Sequence, residues 1–162
     1  MLRYINYNIV FQEVPNEITL AINISNCPNH CKGCHSPYLM EDKGEILNED
    51  ILIGLLHTYG RAITCVCFMG GDSCPAEVDR LSAFLKEYTN GKIKTGWYSG
   101  KPSLAANCRL QHFDYIKLGP YIERLGGLDS LSTNQRFYRI EKEKMIDVTN
   151  HFNKQHKHMN AV

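Results

Sequence analysis

Three cysteines lie close together near the start of the chain, in the stretch SNCPNHCKGCHS. Cys27, Cys31 and Cys34 have the spacing C-x3-C-x2-C, and His35 follows the third cysteine directly. Thiolates are soft ligands, so this grouping indicates a metal centre. The chain has 7 cysteines, an odd number, and its first residues lack the basic start and apolar run of a signal peptide. Metal binding is therefore favoured over a disulfide framework.

Two metal centres are compatible with this loop. A structural zinc ion takes four protein ligands, which Cys27, Cys31, Cys34 and His35 would supply as a cramped tetrahedron. A cubic [4Fe-4S] cluster is larger and needs four thiolates for a complete shell. Three cysteines would leave one iron free for an exogenous ligand, as catalytic metal sites keep an open position. The spacing favours the cluster, and zinc remains the alternative.

A second stretch with chemical potential, Gly70-Gly71-Asp72, directly follows an apolar run. Two successive glycines let the backbone approach a ligand without a side chain in between. The alternative is an ordinary strand-to-helix turn in which Asp72 or Ser73 caps the helix. Taken alone, the stretch favours the ordinary turn. Its place after the strand that follows the cysteine loop shifts the balance towards ligand binding.

The elements that must position these residues alternate between strands and helices. Strands are predicted for EITLAINIS (17–25), AITCVCFM (62–69), KIKTGWYS (92–99) and FDYIKLG (113–119), and helices for NEDILIGLLHTYG (48–60) and PAEVDRLSAFLKEY (75–88). YINYNIVF is predicted to form a hairpin with the first strand, and QRFYRI a hairpin with KMIDVT. The alternation predicts an α/β fold of parallel βαβ units. With only about four βα steps, a barrel would be partial and open, with short hairpin additions.

Each unusual stretch follows one of the predicted parallel strands. The cysteine loop, GGD, YSGK and KLGPY come after the first, second, third and fourth of them. Functional sites of parallel α/β folds gather at the carboxyl ends of the strands. We therefore expect these stretches to meet at one edge of the sheet. A single domain is predicted over 1–150, followed by a flexible tail over 151–162.

The cysteine spacing and the glycine stretch together resemble the radical S-adenosylmethionine (SAM) enzymes. The resemblance implies a partial, open (βα) barrel in which Cys27, Cys31 and Cys34 bind a [4Fe-4S] cluster. In that family the open iron binds the amino and carboxylate groups of SAM. Electron transfer then cleaves SAM to methionine and a 5′-deoxyadenosyl radical.

The same resemblance implies which residues would bind the cofactor. Gly70, Gly71 and Asp72 stand where the family has Gly-Gly-Glu, whose backbone binds the methionyl amino group; Asp72 is one methylene shorter than that Glu. Ser99, in WYSGK, matches a segment near SAM and is a candidate polar contact. Residues 117–121 stand where the family often has an acidic residue.

Within that family, NISNCPNHCKGCHSPYL, FMGGD, WYSGK and STNQRFYRI resemble the activating proteins of anaerobic ribonucleoside-triphosphate reductases, over roughly residues 5–140. The resemblance implies an activase that makes a glycyl radical on the large catalytic subunit of such a reductase. A flavodoxin- or ferredoxin-type protein would supply the electron. The alternatives are another small radical SAM enzyme, acting on a different glycyl-radical enzyme or a small heterocycle, and a non-catalytic zinc module or electron carrier.

Composition narrows the choice of partners. The formal net charge of +1 predicts no broad basic surface for nucleic acid. No apolar run approaches the roughly 20 residues that span a membrane, so a cytoplasmic protein is expected.

Cys65 and Cys67 alternate along one strand and are predicted to be core residues. Cys74 and Cys108 are predicted to be incidental thiols.

Overall fold

The computed structural model describes residues 1–153 and contains one open sheet of eight strands. The strands are β1 (Leu2–Val10), β2 (Thr19–Ile24), β3 (Glu45–Leu47), β4 (Cys65–Met69), β5 (Lys94–Tyr98), β6 (Tyr115–Leu118), β7 (Arg136–Glu141) and β8 (Lys144–Asp147). The helices are α1 (Glu49–Tyr59) and α2 (Pro75–Tyr88), with short 3₁₀ turns at Pro37–Met40 and Leu110–His112. The expectation of a mixed α/β fold is confirmed, and the sheet is not closed.

The centre of the sheet is parallel and its two sides are antiparallel. The strand order is β3-β1-β2-β4-β5-β6-β7-β8. Strands β2, β4, β5 and β6 run parallel to one another. Strands β1 and β7 are antiparallel to the outer two of these, and β3 and β8 complete the edges. The two predicted hairpins are therefore confirmed, and they flank a four-stranded parallel core.

Most elements lie where the sequence pattern predicts them. Asn48 caps α1, because its side chain accepts a hydrogen bond from the backbone N–H of Ile51. The stretch KPSLAANC, predicted as a short helix or turn, forms a turn near its end, where the N–H of Cys108 donates to Ala105 O, and no helix. Strand β3 has no counterpart in the prediction. It has only three residues, too few to show a period, and it forms by pairing with β1.

Alternate residues of the central strands belong to two different apolar clusters. One cluster contains Leu20, Val66 and Phe68 together with the buried residues of α1 and α2. The other contains Cys65 and Cys67, both fully buried. This alternation is the period of two expected for strands covered on both faces. Burial raises the pKa of both thiols, which fits neutral core side chains.

The second cluster also includes the last described part of the chain. Residues 150–153 are helical, and Phe152 packs against Phe137 with ring centroids 5.2 Å apart. The predicted tail over 151–162 thus begins with a packed residue, and its remainder, 154–162, lies outside the described residues. In the part of the chain that is described, no helix is long and apolar enough to cross a membrane.

A buried carboxylate ties the amino ends of the parallel strands together. Glu17 is 7% exposed and accepts hydrogen bonds from Lys94 Nζ (2.7 Å), Tyr115 Oη (2.7 Å) and Thr64 Oγ1. Burial acts to raise the pKa of Glu17, but the hydrogen bonds from these three partners outweigh it, so the pKa is lowered. The ionised form of Glu17 therefore stabilises the fold.

We expect Glu17→Gln to lower the free energy of unfolding by about 1–3 kcal/mol at pH 7, because hydrogen bonds to a buried charge are lost. The stabilisation by ionised Glu17 exists above its unfolded-state pKa and disappears as the pH falls through the lower folded-state pKa. The difference from the parent should therefore shrink below the ordinary value of 4.5. Urea unfolding at several pH values measures it. Glu87→Gln, at an exposed carboxylate, is the control, and identical curves for the two variants would contradict the prediction.

Candidate functional site

The carboxyl ends of the four parallel strands meet at one cavity of about 200 Å³. The strand register places Met69 beside Asn23 and Tyr98, and Tyr98 beside Lys117. These four residues form one row across the sheet, and all four line the cavity. The segments that follow the strands complete its wall. The expectation that the unusual stretches gather at one edge is confirmed.

All three cysteines of the loop after β2 line this cavity. Cys27, Cys31 and Cys34 are each partly buried. Two of the sulfurs accept hydrogen bonds, Cys34 Sγ from the backbone N–H of Ser36 at 3.4 Å and Cys27 Sγ from Asn29 Nδ2 at 3.7 Å. Hydrogen bonds to the sulfurs are one of the means by which proteins adjust iron–sulfur centres.

The backbone of the cysteine loop is held by its own local contacts. The backbone N–H of Asn26 donates to Glu41 O, and that of Cys27 donates to Leu39 O. Gly33 has a φ of +73°, and a Cβ there would lie 3.1 Å from the carboxyl group of Glu123. The turn before Cys34 therefore needs a residue that accepts a left-handed conformation at little cost.

The glycine turn after β4 is fixed by the neighbouring strand. Gly70 has a φ of +103°, its N–H donates to Tyr98 O at 3.0 Å, and its carbonyl accepts from Trp97 Nε1 at 2.8 Å. Gly70 lines the cavity. Gly71 faces the core, since a Cβ there would lie 2.6 Å from Cγ2 of Val78. A larger residue at Gly71 would disturb packing directly, and its contact with a cofactor stays a prediction.

Asp72 is the polar centre of the site. It is 7% exposed, and its carboxylate accepts from Asn29 Nδ2 (2.6 Å), Ser99 Oγ (2.6 Å) and the backbone N–H of Gly100 (2.7 Å). The cap residue of α2 is Cys74, so the alternative in which Asp72 or Ser73 caps the helix is wrong. Asp72 joins the cysteine loop to the end of β5.

The sequence analysis did not identify two buried side chains of the cavity wall, those of Lys117 and Gln135. Lys117 belongs to the segment 117–121 and Gln135 to the motif STNQRFYRI, but neither residue is singled out by the sequence. Gln135 is 6% exposed, lines the cavity, and its side-chain amide makes no hydrogen bond within residues 1–153. Burial lowers the pKa of Lys117 to about 8, against the opposing charges of Asp72 and the three thiols. Asn29 was also missed, although its place between two cysteines was a usable signal.

The three thiols match the type of ligand that an iron–sulfur cluster needs. His30 and His35 are exposed and lie outside the lining of the cavity, and the ring of His35 packs against Tyr121 at 5.1 Å. Among residues 1–153, no group of three or more His, Cys, Asp or Glu side chains is placed to hold one metal ion. An iron–sulfur cube instead binds each thiolate on a separate iron. Cys27, Cys31 and Cys34 line one cavity and supply three thiols for such binding.

Comparison with known proteins does not assign the chain to a family. No protein-family model, no curated protein and no solved structure matches the chain. The residues around the cavity therefore carry the functional interpretation themselves. They bring three thiols, a buried carboxylate, a buried ammonium group and the turn at Gly70 to one place.

Proposed function

We propose that the chain is a radical SAM activase, which uses a [4Fe-4S] cluster to generate a glycyl radical on anaerobic ribonucleotide reductase. The observation that carries the proposal is the arrangement of the cavity. Cys27, Cys31 and Cys34 line it together with Gly70 and Asp72. The three thiols and the glycine turn thus face the same cavity. A cluster with one open iron, and a ligand bound to that iron, would require this arrangement.

The remaining cysteines support a cluster with three protein ligands. Cys65 and Cys67 are buried in the second apolar cluster, and Cys74 and Cys108 pack against the first. None of these four lines the cavity. A complete four-thiolate shell, as an electron carrier would need, is therefore not supported. The open sheet with four parallel strands also agrees with a partial barrel of the radical SAM type.

The chain's own residues would bind and orient the reactants. When bound, the cluster and SAM supply a carbon radical that abstracts a hydrogen atom. The backbone polar groups of Gly70 are hydrogen-bonded to Tyr98 and Trp97, so Gly70 would contribute close approach without a side chain in between. The hydrogen bond between Asp72 and Ser99 keeps this part of the cavity wall in place. The cavity lies at the carboxyl ends of the parallel strands, where a loop of another protein would have to enter. A hydrogen donor held close in this way gains the advantage of proximity.

The test is anaerobic reconstitution of the chain, followed by SAM, a reductant and the large subunit of an anaerobic ribonucleotide reductase. We expect 5′-deoxyadenosine together with a glycyl doublet in the electron paramagnetic resonance spectrum. SAM cleavage by the chain alone should be weak, because no hydrogen donor is held close.

The control replaces the radical glycine of the reductase with Ala, which should abolish the doublet and leave the cluster in this chain intact. Efficient turnover of a small molecule, without a protein radical, would instead favour a different small radical SAM enzyme. A flavodoxin- or ferredoxin-type protein, compared with a chemical reductant, would identify the class of electron donor.

A further inference from the structure

Lys117 is a buried cation without an acidic partner. Its residue exposure is 7%, and its Nζ donates to the carbonyl oxygens of Gly119 (2.8 Å) and Ser99 (3.4 Å). No ion pair among residues 1–153 includes it. Burying an ion costs several kcal/mol unless other charges offset it. The charge of Asp72 offsets part of this cost without forming an ion pair, so further negative charge in the cavity would stabilise the Lys117 ammonium group.

The carboxylate of Asp72, which lines the cavity, already has hydrogen-bond partners. Asp72 accepts three hydrogen bonds, from Asn29, Ser99 and Gly100, and makes no ion pair with Lys117. The other groups of this wall that become negative are the thiols of the cysteine loop. Cys27, Cys31 and Cys34 line the same cavity as Lys117. Metal binding deprotonates thiols, so a loaded site would bring negative charge to the space that Lys117 lines.

We infer that Lys117 is the counter-charge of the cysteine loop, a positioning residue that stabilises the bound cluster and raises its reduction potential. The inference rests on the proposed function for the identity of the cluster. Reduction adds one electron to a group that already carries thiolate charge. A fixed ammonium group nearby stabilises the reduced form more than the oxidised form, and net charge around a cluster is one determinant of its potential. The low exposure of Lys117 keeps solvent from screening this effect.

The experiment compares two substitutions of Lys117 in the full chain after anaerobic reconstitution. Lys117→Met removes the charge and the hydrogen bonds, whereas Lys117→Gln removes the charge and keeps an N–H donor. Lys32→Met is the matched control, because Lys32 lies inside the cysteine loop but is exposed. Iron and sulfide content are measured, and a redox titration followed by electron paramagnetic resonance gives the potential of the cluster.

We expect both Lys117 variants to shift the potential to more negative values and to lower cluster content, with a much smaller shift for Lys32→Met. Thermal unfolding should show parent-like stability for Lys117→Met, since replacing a buried charge with an apolar side chain is often neutral or stabilising. If one of the two Lys117 variants fails to fold, the other is compared with the parent and with Lys32→Met.

Three results would overturn the inference. A shift in Lys117→Met without one in Lys117→Gln would assign the effect to hydrogen bonds. Equal shifts in Lys117→Met and Lys32→Met would assign the change in potential to the overall charge of the protein. An unchanged potential in both Lys117 variants, with the cluster bound, would show that Lys117 has no role in setting the potential. If the parent itself holds no iron–sulfur cluster, the proposed function fails and this inference fails with it.

Discussion

Replacing Cys27, Cys31 or Cys34 with Ala should reduce the iron and sulfide of the reconstituted chain from about four of each to near zero, a loss of roughly tenfold or more. Each of these sulfurs lines the cavity, and a cube that loses one of three protein ligands retains two attachment points. No other cysteine lies on the cavity wall to replace the missing thiolate. Chemical analysis of iron and labile sulfide, with the visible absorption of the cluster, measures the loss.

Cys74→Ala and Cys108→Ala are the matched controls for these replacements. Both thiols are partly buried, as the three loop cysteines are, but they pack at the helix-covered face of the sheet. We expect their cluster content to equal that of the parent. Two results would defeat the assignment of the ligands: cluster loss in either control, or one tightly bound zinc ion without labile sulfide in the parent.

The arrangement of elements was predictable where a local pattern defined it. The alternation in 17–25, the short apolar run of β4, the apolar face of α2 and the cap of α1 at Asn48 are all short-range features, and the structure has a strand or helix at each. The meeting of the motifs at one edge then followed from the parallel direction of the strands. Strand β3 was not predictable, because it depends on pairing with β1.

The far wall of the cavity was not predictable for a related reason. Lys117 reaches it because β6 pairs with β5 in a register that sets Lys117 beside Tyr98, and one residue of slip would turn its side chain to the other face. Gln135 arrives there only through the long loop after β6. The role of Asp72 likewise depends on donors from two distant segments, at Asn29 and Ser99. Such contacts leave no periodic signal in a single sequence.

Asp72→Ala should cause the largest loss of any substitution outside the cysteines, removing most of the cluster and the spectral change on addition of SAM. Hydrogen bonds to a charged group contribute about 1.5–3 kcal/mol each, and 1.4 kcal/mol corresponds to a tenfold change in an equilibrium. Without the carboxylate, the donors of Asn29, Ser99 and Gly100 lose their shared acceptor. The cysteine loop would then lose its attachment to the end of β5, and cluster content should fall roughly tenfold.

A graded series separates this positioning role from simple loss of stability. Asn29→Ala should weaken cluster binding less than Asp72→Ala, because only the tie to the cysteine loop is lost. Asp79→Ala is the control: Asp79 is also a buried acid, and it accepts from the backbone N–H of Arg109 (2.7 Å) and faces His112 Nδ1 (3.0 Å), away from the cavity lining. It should lower the unfolding temperature and leave the cluster and the SAM response like those of the parent. Equal cluster loss in Asp72→Ala and Asp79→Ala would mean that Asp72 acts only through the stability of the fold.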